Sequence, residues 1–215
     1  MPLPKPPIVS HARLALATAI ALGVTGTPHS RAGTLWNEQV NGDFSDDRFV
    51  PTPLSLPVGA SAIACRLEDG DGGQDIDLDY FSVTIPAGHQ LAEMLLVSYL
   101  SVDRIAFIAI QPGPIFPNDP GSVGPDDLMG YAHFGPALLG QDLLTAMGFN
   151  GQGFAPPLPA GTYSFWVQQT DNFTEYSVDF RVEEIPGPHT GIVALAAAAM
   201  TAVRRRRRTH RASHT

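Results

Sequence analysis

The sequence predicts an all-β protein, an antiparallel β-sandwich, between residues 33 and 184. Glycine and proline recur about every eight to twelve residues in this stretch, which is the spacing of turns between short strands. Apolar and polar residues alternate between the turns, as in strands with one buried face. A body of about 150 residues buries enough surface for one core without disulfides, and the single cysteine, Cys65, is expected to be a small buried residue.

Three runs show the alternation clearly. In the first, Phe81, Val83 and Ile85 share one face, and Pro-Ala-Gly at 86–88 predicts a turn after it. A second Pro-Ala-Gly at 159–161 precedes a similar run, in which Tyr163 is predicted to point inward. The last run carries an apolar residue at every second position, at Tyr176, Val178, Phe180 and Val182.

Two other runs, Leu91–Leu100 and Ile105–Gln111, are more continuously apolar and are predicted as central strands covered on both faces. Residues 112–125 contain five prolines and three glycines, which predicts a long surface loop. Ala137–Met147 places its leucines and Met147 close to one helical face and is predicted as a short helix.

The two ends of the chain differ from this body. Residues 1–32 have the order of a secretory signal peptide: a basic start, a short apolar core, and Ser30-Arg31-Ala32 before a predicted cleavage point. Residues 185–215 hold an apolar run, Gly191–Val203, followed by five arginines, Arg204–Arg208. As a helix the thirteen apolar residues span about 20 Å, less than the roughly 30 Å of a hydrocarbon core.

The charge of the body argues against nucleic-acid binding. Between Thr34 and Glu184 there are four basic and 21 acidic residues, a net charge of −17. Such a surface repels phosphate backbones. The arginine tail therefore suits a membrane anchor or a sorting signal, with the arginines on the cytoplasmic side, better than it suits a nucleic-acid grip.

The densest acidic stretch, residues 68–79, is a candidate calcium site, since calcium takes six to eight oxygen ligands. Its predicted ligands are Asp69, Asp71, Asp75, Asp77 and Asp79. The spacing departs from the helix-loop-helix calcium pattern, and the alternative is a solvated acidic turn. A second acidic turn, residues 41–47, strengthens the calcium hypothesis if the fold brings the two turns together.

Nothing in the body matches a catalytic motif, and the chain is predicted to be non-enzymatic. His89 and His133 fall in different turns, and the segment has no lysine. Trp166 lies on the opposite phase of its strand from Tyr163 and is the candidate residue for stacking against a carbohydrate, provided that its ring faces solvent.

The tail resembles the C-terminal sorting signal of exosortase-processed bacterial proteins, known as PEP-CTERM. The resemblance rests on Pro186-Gly187-Pro188, the apolar run, and Arg204, Arg205, Arg206, Arg207 and Arg208. The family has glutamate between the two prolines, where this chain has Gly187. The resemblance implies delivery to the inner membrane, and then processing by an exosortase-type enzyme or retention by the tail.

The body resembles the exported β-sandwich modules that often precede such tails, which are similar to the bacterial pre-peptidase C-terminal domain. The residues involved include Trp36-Asn-Glu, Asn41–Arg48, Asp77–Gly88 and Ala160–Trp166. The resemblance implies a jelly-roll-like sandwich, sometimes calcium-loaded, without catalysis. We therefore expect a secreted protein sorted to the cell envelope or extracellular matrix, with exopolysaccharide as a candidate partner. The alternative is a carbohydrate- or calcium-binding module acting on its own.

Overall fold

The computed structural model describes residues 32–67, 76–169 and 173–187, and the all-β prediction is confirmed. The strands are β1 Gly33–Asn37, β2 Thr52–Ser55, β3 Gly59–Leu67, β4 Leu78–Ser101, β5 Ala106–Pro112, β6 Gly130–Phe134, β7 Leu158–Gln168 and β8 Thr174–Glu184. The helices are α1 Glu38–Asn41 and α2 Leu143–Gly148, with 3-10 turns at Pro125–Asp127 and Pro136–Leu138. Residues 1–31 of the predicted signal peptide, and the tail from Pro188 onward, lie outside the described residues.

The strands form one hydrogen-bonded sheet in the order β1-β3-β8-β4-β7-β5-β6, with β2 paired to β4. The first part of β4 pairs with β7 and β2, and its second part pairs with β8. The register of β4 against β7 shifts between Ile85 and Gln90, so the strand changes partners at that point. The two parts of the sheet face each other, because Phe134 of β6 contacts both Tyr99 of β4 and Tyr176 of β8.

The prediction of turns at the two Pro-Ala-Gly stretches is wrong. Both lie inside strands, at the place where β4 passes from one part of the sheet to the other. Gln90 pairs with Pro159 and Ile85 with Gly161, so the two stretches are neighbours across the sheet. Gly88 takes the left-handed φ of 77°, which lets β4 deform there without ending.

The sheet is mixed, which corrects the prediction of a purely antiparallel sandwich. β1 runs parallel to β3, and β2 runs parallel to β4. Neither pair is joined by a hairpin: α1, a turn and β2 separate β1 from β3, and the whole of β3 separates β2 from β4. Such connections reach across the structure and allow parallel pairing, which a tight turn forbids.

The main core lies between the two parts of the sheet, and the predicted alternation is confirmed. In β8 every second residue from Thr174 to Val182 is buried, and Tyr163 is buried as expected. The apolar core of β8 and its neighbours includes Ile63, Cys65, Phe81, Met94, Leu96, Ile110, Phe165 and Phe180. The central position predicted for Leu91–Leu100 is only partly right, since Val97 and Leu100 are exposed.

A second, smaller apolar cluster lies on the outer face of β4, β5 and β7. It consists of Tyr80, Ala109, Phe116, Leu128 and Trp166. The long connection between β5 and β6 crosses this face and supplies Phe116 and Leu128, as the predicted surface loop. β5 is therefore covered on both sides, which confirms the prediction for Ile105–Gln111 apart from its exposed first residue.

The helix predicted for Ala137–Met147 begins later, at Leu143. The Asp142 side chain accepts hydrogen bonds from the backbone N–H groups of Leu144 and Thr145, and so caps the helix at that point. Gly140, with a φ of 73°, separates this helix from the 3-10 turn at Pro136–Leu138. The helix buries Leu143, Leu144 and Met147, the apolar residues nearest its core side.

Candidate cation site

A buried carboxylate, that of Asp79, lies in the first part of β4. Asp79 shares the core-facing phase of Phe81, Val83 and Ile85, and its side chain is 0% exposed. Its Oδ2 atom accepts one hydrogen bond, from the hydroxyl of Tyr176 at 3.4 Å. Its Oδ1 atom has no hydrogen-bond partner among the residues that the structure describes. A buried polar atom left in this way is costly unless a ligand or a proton satisfies it.

Two further carboxylates converge on Asp79. One oxygen each of Glu38, Asp43 and Asp79 lie within 4.8 Å of one another. Glu38 is half-buried and Asp43 is exposed, so the cluster runs from the protein interior to its surface. We call these three residues the acidic triad.

The short helix α1 and its flanking turn hold Glu38 in place. The side chain of Asn37 caps the helix by accepting from the N–H of Gln39, and the N–H of Asn37 donates to Asn41 Oδ1. Glu38 Oε1 accepts from the N–H of Phe44 at 3.0 Å, and Glu38 Oε2 accepts from the N–H of Arg66 in β3. The Glu38 carboxylate is therefore held by two backbone donors, one in the turn after α1 and one in β3.

Phe44 anchors the turn that carries Asp43. Its ring is 3% exposed and stacks between Trp36, with centroids 5.5 Å apart, and Phe81, with centroids 4.9 Å apart. One residue further on, Ser45 O accepts a hydrogen bond from the N–H of Tyr80 at 2.8 Å. These contacts lay the turn against β4 and bring Asp43 beside Asp79.

The surroundings of the triad favour protonated or metal-bound carboxylates over free anions. Burial, with the charges of Glu38, Asp77 and Asp43, raises the pKa of Asp79 well above its usual value. Burial likewise raises the pKa of Glu38 to about 7, against the lowering effect of its two backbone donors. Burial also raises the pKa of the Cys65 thiol, which lies beside the triad.

The triad fits a hard divalent cation. Three carboxylates offer up to six oxygens, the ligand type that calcium prefers, and the exposed side at Asp43 leaves room for water. A cation would give Asp79 Oδ1 the partner that it lacks among the protein atoms. It would also cancel the like-charge repulsion that raises the pKa values of Asp79 and Glu38.

The structure describes only two of the five predicted calcium ligands, Asp77 and Asp79. Asp69, Asp71 and Asp75 lie outside the described residues. Asp77 is half-buried and acts electrostatically on Asp79 and Glu38. The predicted approach of the second acidic turn is found at Asp43.

Sequence reasoning missed Glu38. It lies far from the acidic stretch in the chain, and a single glutamate carries no signal of its own. Only the pairing of β1 with β3, and the turn after it, show that it reaches Asp79.

The ring of Trp166 does not face solvent, which was the condition for stacking a carbohydrate on it. Trp166 is 3% exposed and lies beneath the loop, with its ring 5.8 Å from that of Phe116. The alternation correctly put Trp166 on the face opposite Tyr163. The loop from β5 to β6 then covers that face, which strand periodicity alone does not reveal.

The structure describes only the first two residues of the predicted sorting signal. Pro186 and Gly187 follow β8 and are exposed, whereas Pro188 and Arg204–Arg208 lie outside the described residues. Across residues 32–67, 76–169 and 173–187, no helix is long and apolar enough to cross a membrane. No family model, curated protein or solved structure matches the chain.

Proposed function

We propose that the chain is an exported, non-enzymatic β-sandwich module that binds one calcium ion through Glu38, Asp43 and Asp79. The observation that carries the cation site is the buried Asp79 carboxylate, which has an unpartnered oxygen and two other carboxylates beside it. An uncompensated buried charge costs several kcal/mol, so the folded protein needs either a proton or a cation there.

Calcium is the cation that the ligand set favours. The triad offers only carboxylate oxygens, with no histidine or cysteine among its three residues. Zinc prefers nitrogen and sulfur ligands, and magnesium keeps most of its waters and demands near-octahedral geometry. An extracellular module, where calcium is plentiful, suits a weak site of this kind.

The location is proposed from the two ends of the chain. The signal-peptide pattern of residues 1–32 supports export, and the PEP-CTERM-like order of Pro186, Gly187, Pro188 and Arg204–Arg208 supports sorting to the envelope or extracellular matrix. The partners in this proposal are the membrane, an exosortase-type enzyme, and an exopolysaccharide of the matrix. Nucleic acid is not among them, because the body carries a charge of −17 from its four basic and 21 acidic residues.

Thermal unfolding with and without calcium tests the cation site. At ten times its Kd, calcium adds about 1.4 kcal/mol of stability by mass action, which is about 3–6 °C in Tm for a domain of this size. We expect this rise in the parent protein and its loss in Asp79→Asn and in Glu38→Gln. Glu38 belongs to the triad and not to the acidic stretch 68–79, so Glu38→Gln tells the two calcium hypotheses apart.

Asp46→Asn is the matched control, because Asp46 is an exposed aspartate of the same turn outside the triad. It should keep the calcium response of the parent. A Tm that calcium leaves unchanged in the parent, or raises equally in Asp79→Asn, contradicts the site. A shift lost in Asp79→Asn but kept in Glu38→Gln assigns the ion to the acidic stretch instead.

Ending the chain at Gly187 tests the sorting proposal. The last strand, β8, ends at Glu184, so the shortened chain keeps every described strand. We expect it to be folded, with the Tm of the parent, and to appear in the culture medium rather than with the membrane fraction. Aggregation of the shortened chain, or an unchanged membrane association, contradicts the proposal that the tail is a separate sorting element.

A further inference from the structure

A row of planar side chains crosses the outer face of the sheet beside the covering loop. Phe107 of β5 pairs with His133 of β6 on one side and with Gln168 of β7 on the other. Tyr131 stands two residues before His133 and so points to the same face. We call Phe107, Tyr131, His133 and Gln168 the outer aromatic face.

Phe107 of this face packs on the buried Trp166, and all three rings of the face are partly or fully exposed to solvent. Phe107 packs against the buried Trp166, with centroids 4.7 Å apart, and stacks with Tyr131 at 5.9 Å and 26°. His133 meets Phe107 edge-on at 5.6 Å. Phe107 and Tyr131 are half-buried and His133 is exposed, so the rings reach solvent while Trp166 limits their movement.

Polar groups adjoin the rings. Phe107, His133, Gln168, Gln169 and Asp103 line one pocket of about 280 Å³, together with Ile105 and Ala106. The Gln169 amide donates to Asp103 Oδ2 at 2.9 Å and to Ile105 O at 2.8 Å, which holds the Asp103 carboxylate in place. These polar groups stand at the edge of the pocket, and the Phe107 ring forms its apolar wall.

We propose that the outer aromatic face binds a neutral carbohydrate. A sugar ring has an apolar C–H face and a rim of hydroxyl groups, and this pocket offers an aromatic wall beside amide and carboxylate groups. Ligand pockets combine an apolar wall with a few fixed polar groups in just this way. The proposal is separate from the cation site, because the two share no residue.

The same observations disfavour other ligands. An anionic polymer would meet the Asp103 carboxylate and a body whose four basic and 21 acidic residues give a charge of −17. A neutral hexose chain needs only one or two sugar rings in contact.

Native gel electrophoresis in gels containing polysaccharide tests the proposal. The probes are the neutral polymers hydroxyethylcellulose, dextran and soluble starch, with anionic alginate for comparison, all at one calcium concentration. We expect at least one neutral polymer to slow the parent protein and alginate not to slow it. Tyr131 does not line the pocket but stacks on Phe107 beside it, so Tyr131→Ala removes a neighbouring ring of the same face. It should weaken the apparent affinity about tenfold, the scale of one well-placed aromatic contact.

Two further variants keep the test decisive. Phe149→Ala removes a ring that is 84% exposed and outside this face, and it should migrate as the parent does. If Tyr131→Ala fails to fold, the double variant His133→Ala/Gln168→Ala removes the exposed ring and the amide with less effect on packing, and it should lose the retardation. No retardation in any neutral gel, retardation by alginate alone, or retardation kept by the folded face variants overturns the proposal.

Discussion

Asp79 and Gln111 are both buried polar side chains, but they differ in how many hydrogen bonds the fold gives them. Gln111 is 6% exposed, and its amide nitrogen donates to Asn118 Oδ1 at 2.6 Å and to Asp127 O at 2.8 Å. Its amide oxygen accepts from the N–H of Met129 at 3.3 Å. Asp79 is 0% exposed and has one long hydrogen bond and an orphaned oxygen.

The difference separates a polar group that the fold satisfies from one that it leaves incomplete. Gln111 finds all its partners within the loop from β5 to β6, so it fastens that loop over the second apolar cluster and needs nothing from outside. Asp79 has two acids as neighbours where a structural site would supply donors. Buried polar groups are nearly always satisfied in folded proteins, so one left incomplete beside like charges points to a ligand.

The largest effect is expected from Phe44→Ala, which disturbs the surroundings of Asp79 without changing a carboxylate. Phe44 is buried between Trp36 and Phe81, so its loss should cost about 3–5 kcal/mol in the free energy of unfolding. The turn would also release Asp43, and the calcium-dependent rise in Tm should disappear. Denaturant unfolding with and without calcium measures both effects.

The exposed ring of Phe149 provides the control for that experiment. Phe149→Ala should change the free energy of unfolding by less than about 0.5 kcal/mol. A Phe44→Ala protein that keeps the full calcium response would show that the turn does not position the site.

Gln111→Ala removes the side-chain hydrogen bonds that hold the loop from β5 to β6. It leaves the backbone groups of Asp127 and Met129 without their partner, which should cost about 1–3 kcal/mol. The calcium-dependent rise in Tm should stay that of the parent, since Gln111 takes no part in the triad. Loss of that response in Gln111→Ala would mean that the two regions are coupled.

The last expected effect is a pH dependence of the calcium-free protein. Burial raises the pKa of Glu38 from its ordinary value of 4.5 to about 7 in the folded state, so between these pH values the folded chain binds more protons than the unfolded chain. Stability measured in EDTA should therefore fall as the pH rises from about 4.5 to about 7. Burial raises the pKa of Asp79 too, which acts in the same direction.

Comparison with Glu38→Gln isolates that contribution. The variant has no proton to lose at this position, so its Tm in EDTA should decline less across the same pH range than that of the parent. Equal slopes in the two proteins would contradict a raised pKa at Glu38. Saturating calcium should flatten the slope of the parent, because the ion replaces the proton.

Local patterns in the sequence predicted four of the eight described strands, β4, β5, β7 and β8. The alternation from Tyr176 to Val182 predicts a half-buried strand, and β8 has that burial at every position. The proline-rich run at 112–125 predicts the surface loop, because proline and glycine oppose both helix and strand. These features depend on neighbouring residues alone, and single-sequence reasoning can reach them.

Tertiary structure alone decided where those strands meet. The Pro-Ala-Gly stretches look like turns in the sequence, yet they deform strands that continue because each is paired with the other across the sheet. Trp166 has the alternation of an exposed residue and is buried because a distant loop crosses its face. Asp79 was predictable as an acidic residue of interest, but its partner Glu38 was not. Their contact depends on β1 and its turn packing beside β3 and β4, and long-range pairing leaves no periodic trace in a single chain.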